Sequence, residues 1–152
     1  MSSAQRPAAR PQGCTNLKLR QLMRRVARHY DLEVGKTGLK GTQYSLLSHV
    51  VKLGPLRPVD LAAAMKVDAS TLSRNLKILV DAGLLEAFPG ADARSHLVRA
   101  TAAGRAKRAE AQRHWRIAQE TLNDALGADR VVALHALLDE AMERLGGARG
   151  GP

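Results

Sequence analysis

Ser70, Thr71, Ser73, Arg74, Asn75 and Lys77 put three hydroxyls, an amide and two cations into one short stretch. Hydroxyl and amide groups can exchange hydrogen bonds with base edges, and the cations can reach guanine edges or phosphates. A second polar group, Asp92, Arg94 and Ser95, lies in a turn opened by Pro89-Gly90. An arginine on such a tip can enter a narrow minor groove, where the negative potential is concentrated, and Asp92 can hold the guanidinium and shape the loop. The chemistry on offer is recognition of a duplex, with no bond made or broken.

Each group needs an element to aim it. Leu72, Leu76, Leu79 and Val80 recur at steps of three and four, so one side of a helix packs while Ser70, Arg74, Lys77 and Asp81 fall on another. Asp68 is suited to cap its start and Gly83 to stop it. Upstream, Pro58 opens a short helix carrying Leu61, Ala62 and Met65, and Lys66-Val67 is a tight link. Downstream, Leu84 to Phe88 and Ser95 to Ala100 read as two strands around the loop from Pro89 to Arg94. An amphipathic helix with a solvated face, or a charged hairpin tip, is common in isolation. Together and in this order they define a helix-turn-helix followed by a wing.

The remaining chain reads as helices. Leu19, Leu22, Met23, Val26, Ala27 and Tyr30 share one face of the first, opposite Arg20, Arg24, Arg25 and Arg28, which read as a solvated face. A long alanine-rich helix runs from Thr101 to Leu126. In the last helix Val131, Leu134, Leu138, Ala141 and Leu145 form a seam that needs a partner. A single chain offers little to cover it, so the seam predicts a two-fold homodimer, with an intramolecular bundle as the alternative. The expected fold is mainly α with a small β-hairpin: six helices, the wing before the fifth, and an added dimerisation region. The expected segments are a disordered tail over 1–13, a dimerisation helix in 14–40, a DNA-binding lobe over 41–100, dimerisation helices over 101–146, and a frayed tail over 147–152.

Composition narrows the function. The 152 residues carry a net charge of +10, and residues 1–40 hold nine Lys and Arg against two acids while residues 109–152 hold five against seven. Such a balance favours a polyanion, with salt-dependent attraction to phosphates. No apolar run approaches the ~20 residues needed to span a bilayer, and the first residues lack the apolar core of a secretory signal, so a cytoplasmic protein without membrane attachment is expected. The single cysteine excludes an internal disulfide. Five histidines, at 29, 49, 96, 114 and 135, show no paired ligand spacing, so neither a metal nor another cofactor is expected. No phosphate loop, nucleophile elbow or distinctive carboxylate pair is present, which argues against an enzyme. A basic architectural protein that coats DNA stays open as an alternative. The hydroxyls and Asn75 beside the cations favour a site-specific regulator.

At this point the chain resembles the MarR family of winged-helix transcription regulators. The resemblance rests on Gly38-Leu39, Thr42-Gln43-Tyr44-Ser45-Leu46-Leu47, Leu61-Ala62, Ser70-Thr71-Leu72-Ser73-Arg74, Gly83-Leu84-Leu85, Asp92-Ala93-Arg94-Ser95 and Thr101-Ala102-Ala103-Gly104, in that order. Ala100 departs from the family's usual leucine and should loosen packing locally. The resemblance implies a homodimer on an inverted-repeat DNA operator, most often as a repressor, released by a small aromatic or phenolic effector held between the dimer base and the DNA-binding lobe. Tyr30, Tyr44 and His49, with His29, Arg20 and Trp115, are the residues suited to such a pocket, the cation serving a carboxylate; core packing is the plainer role for the aromatics. It also implies a second possibility, redox sensing through Cys14 at the start of the first helix, assisted by tyrosines. Cys14 sits slightly early for that pattern, and Gly41 stands where a tyrosine is expected.

Overall fold

The computed structural model of the chain describes residues 9–92 and 94–147. Residues 1–8 of the expected N-terminal tail and 148–152 of the C-terminal one lie outside them. In chain order the elements are α1 (Thr15–Val34), α2 (Gly41–Leu53), α3 (Pro58–Met65), α4 (Ala69–Asp81), β1 (Leu85–Pro89), β2 (His96–Ala100), α5 (Ala102–Leu126) and α6 (Ala128–Gly147). The first strand sits one residue later than the sequence suggests, the second starts one residue later and ends at Ala100 as expected, and α6 continues through Gly146 into the stretch expected to fray. The segment 14–40 is not one helix. It breaks after Val34 into a 3₁₀ turn, Gly35–Thr37, where the Thr37 hydroxyl donates to the Val34 carbonyl at 2.7 Å.

The core explains why the lobe holds together. Leu46, Leu47 and Val50 of α2 meet Leu61 of α3, Leu72, Leu76 and Leu79 of α4, and Leu85 and Val98 of the hairpin, all buried. Each buried leucine stabilises the fold by about 1.5–3 kcal/mol relative to exposure. The hairpin is antiparallel, pairing Leu85 with Ala100, Ala87 with Val98 and Pro89 with His96. Leu56, between α2 and α3, adds a third piece of sheet: its N–H donates to the Val98 carbonyl at 3.1 Å and its carbonyl accepts from Val98 at 2.9 Å. The wing is thereby tied to the segment that leads into the helix-turn-helix.

Helix α1 lies against α5 through polar contacts. His29 Nε2 is 2.9 Å from the Ala118 carbonyl oxygen, the Tyr30 hydroxyl donates to Gln119 Oε1, and His114 Nδ1 faces Glu33 Oε1 at 2.9 Å. Helix α6 is held by its first half alone. Val131 is buried and Leu134 and Leu138 are half-buried, whereas Met142 and Leu145 are 64% and 72% exposed. On α1, Leu19 and Met23 are exposed too. Nothing among the described residues covers the far end of the α6 seam, so a closed intramolecular bundle does not form there.

Candidate functional site

Helix α4 is built as a presented helix. Asp68 caps it, its Oδ1 accepting from the Thr71 N–H at 2.8 Å. The same carboxylate takes the Ser70 hydroxyl at 2.6 Å and the Thr71 hydroxyl at 3.0 Å. These bonds, that of Ser70 foremost, hold the Asp68 carboxyl down at about 2. Ser70 and Thr71 therefore stand in fixed orientation at the exposed start of the helix. Ser73, Arg74 and Lys77 are exposed along it, while Thr71 and Asn75 are half-buried beside the groove between α2, α3 and α4. Lys77 is paired with Asp81 at 2.8 Å. Arg74 takes part in no ion pair among the described residues.

The wing is organised differently from the sequence expectation. Asp92 Oδ1 accepts from the backbone N–H groups of Arg94 at 3.1 Å and Ser95 at 2.8 Å. It shapes the loop through these two bonds, and among the described residues it forms no ion pair with the Arg94 guanidinium. The bonds to Ser95 lead in lowering the Asp92 carboxyl, and the Arg57 charge adds to it. Arg94 is left exposed at the tip without an ion pair among the described residues. Arg99, farther down, is paired with Glu86 and stacked over the Phe88 ring at 4.4 Å.

Two cations of this lobe were missed by the sequence reading. Arg57 is the N-cap residue of α3, bonded to Asp60 at 2.8 Å, and Lys66 is exposed in the turn between α3 and α4 with φ 54°. Pro58 at the first position of α3 carried the signal for Arg57, since it fixes where the helix begins.

A cavity of about 620 Å³ opens between α1, α2 and α5. Tyr30, Tyr44, His49 and Trp115 line it, as the sequence suggests, and Asp31, Ser45, Ser48 and Gln112 join them. Arg20 and His29 do not. His29 turns to the Ala118 carbonyl and the Thr121 hydroxyl of α5, and Arg20 is exposed roughly 15 Å up the α1 axis from Tyr30, at 1.5 Å per residue. A separate apolar groove of about 380 Å³ runs between α1, α5 and α6, lined by Leu22, Val26, Leu122, Val131 and Leu138 among others. Cys14 is exposed at the start of α1 and its side chain makes no cap bond. Tyr30 lies roughly 24 Å farther along the same helix, and Tyr44 borders the same cavity as Tyr30, so within one chain no tyrosine assists the thiol. Among the described residues no group of three or more His, Cys, Asp or Glu comes together in a way that could hold a metal.

An exposed polar helix joined by a tight turn to a shorter one, with a hairpin wing behind it, defines the winged helix-turn-helix class of proteins. A MarR family model matches residues 37–95. Over nearly the whole fold the chain is similar to the M. tuberculosis transcriptional regulator MosR, solved in complex with DNA: 33% identity, 88% of this chain and 98% of that one covered, TM-score 0.72. A probable transcriptional regulator from Pseudomonas aeruginosa is 26% identical, with 84% and 96% covered and a TM-score of 0.77. A mutant E. coli MarR complexed with operator DNA shares the fold, at 24% identity, 84% and 92% covered, TM-score 0.76. No curated protein sequence matches the chain significantly. The chain belongs to the MarR family of transcription regulators.

Proposed function

We propose that the protein is a dimeric repressor that reads an inverted-repeat DNA site and is released from it by a small aromatic effector. One observation carries the DNA reading: the exposed hydroxyls and cations of α4 and the exposed Arg94 of the wing belong to one rigid lobe, two kinds of group suited to two grooves. MosR and E. coli MarR, both crystallised with DNA, support it. In a dimer α4 would enter the major groove of each half-site, about one helical turn from its mate, while Arg94 reaches the flanking minor groove. Specificity then comes from symmetry and spacing as well as from contacts.

The exposed apolar surfaces of α1 and α6 supply the pairing face, and a second copy of the chain is the occupant that the two-fold arrangement requires. The 620 Å³ cavity lies where α1 and α5 meet the lobe, within the ~300–1,000 Å³ range of ligand sites. An effector acts there by binding the DNA-incompetent spacing of the two lobes more tightly than the competent one.

Selection of bound sequences from a random DNA pool, followed by footprinting at physiological salt, tests this reading. A short symmetric protected site is expected. Protection everywhere, fading uniformly as salt rises, would replace the repressor with an architectural DNA-coating protein.

A further inference from the structure

The cavity between α1, α2 and α5 has a charge character opposite to the one that an aromatic acid needs. Three aromatic rings border it, and the Tyr30 and Trp115 rings are 6.1 Å apart, tilted by 37°. Among the described residues its one charged lining side chain is Asp31, and no Lys or Arg lines it. Asp31 Oδ1 accepts from the Gly41 N–H at 2.8 Å at the start of α2, and its other oxygen has no protein partner among the described residues. The carboxylate thus occupies the backbone amide at the head of α2 that could otherwise receive an anion.

The rest of the lining agrees. His49 Nδ1 is 2.7 Å from the Ser45 carbonyl oxygen, which can only accept, so Nδ1 carries a proton and that side of the ring is already engaged within α2. Arg108 comes near from outside, its Nε 3.5 Å from Ser48 Oγ, without lining the space. Aromatic rings and a carboxylate on one lining are what an organic cation needs: ring quadrupoles attract it and the carboxylate neutralises it.

We propose that this cavity takes a flat aromatic cation, an aromatic amine in its protonated form or an aromatic quaternary ammonium, in preference to aromatic carboxylates. The inference rests on the reading of the cavity as an effector site and gives that site its ligand class. It also replaces the carboxylate that the family resemblance implies, since the cation suited to hold it, Arg20, is elsewhere.

Trp115 is the only tryptophan, so its fluorescence reports directly on the cavity. Phenyltrimethylammonium, its neutral isostere tert-butylbenzene and the anion salicylate serve as probes, with calorimetry on the same protein as a check. The cation should bind at least tenfold more tightly than either other probe, and Asp31→Asn, which keeps an acceptor for the Gly41 N–H, should remove most of that preference. Salicylate binding as tightly as the cation overturns the proposal while leaving an effector site in place. Binding by none of the three overturns the effector reading with it, and neither result touches DNA affinity, measured separately on the ligand-free protein. A cation preference unchanged in a folded Asp31→Asn protein also overturns the proposal. The wild-type comparison decides the matter even if that variant does not fold.

Discussion

Asp68 links helix stability to the presentation of Ser70 and Thr71. Its three bonds stabilise the carboxylate, so its carboxyl sits at about 2 against an ordinary 3.8. A depressed acid contributes stability that is fully present above the unfolded value and is lost as pH falls through the folded one. In urea titrations the advantage of the wild type over Asp68→Ala should therefore be constant above about pH 5 and shrink between roughly pH 4 and 2; an advantage that persists at pH 2 would show that the carboxylate charge is not its source. The same variant frees both hydroxyls to rotate, and affinity for the selected DNA site should fall with it. Arg94 acts without such coupling, because no side chain among the described residues holds it. Arg94→Ala should weaken specific binding by roughly 1–3 kcal/mol, as for a single DNA contact, and leave the urea midpoint in place. Fluorescence anisotropy with labelled duplex reads the first, and an unchanged affinity would remove the wing from recognition.

Between elements, the decisive joint is where α4, the wing and α5 meet. Gly83, with φ 73°, ends α4; its carbonyl accepts from the Thr101 hydroxyl at 2.6 Å, and Thr101 Oγ1 in turn caps α5 by accepting from the Gly104 N–H at 3.0 Å. Gly104 is buried directly on Leu84, and a Cβ there would be driven into the Leu84 carbonyl oxygen, a backbone atom that cannot swing away. Gly104→Ala should cost about 1–3 kcal/mol or more, in the manner of overpacking, and chemical denaturation measures it; a neutral result would mean that the two elements can slide apart. Much of this region was legible beforehand, because caps, stops and three-four spacing are local signals: Asp68, Gly83 and the α4 leucines each name their own role, whereas Thr101, expected as the first helical residue, proves to be the cap. What was not legible depends on distance and rotation. Leu56 joins the sheet through backbone bonds alone, which leave no mark in the sequence. Neighbouring helix residues point about 100° apart at 3.6 per turn, so Tyr30 lines the cavity while His29 turns to α5, and grouping the two by proximity in the chain could not separate them. The cavity's charge was illegible for the same reason, since Asp31 enters it and Arg20 does not.

For the whole molecule, the exposed apolar residues that matter for pairing are those of α1 and α6. Met142 and Leu145 on α6 and Leu19 and Met23 on α1 are exposed on the two helices outside the DNA-binding lobe, while the leucines at the centre of the lobe, such as Leu46, Leu47, Leu61 and Leu79, are buried. A surface of this kind is expected to be covered by a second copy. Replacing both Met142 and Leu145 by glutamate should then separate the copies without disturbing the core, because both side chains are already more than 60% exposed in the single chain. Sedimentation should report one subunit in place of two. The thermal midpoint gives an independent reading: a folded dimer is stabilised by mass action, so the wild-type midpoint should climb with protein concentration and that of the double variant should not. Loss of the pair should also reduce affinity for a symmetric site far more than for a half-site, since one lobe can no longer hold the other at the right spacing. A double variant that still sediments as two subunits would move the pairing face off the end of α6.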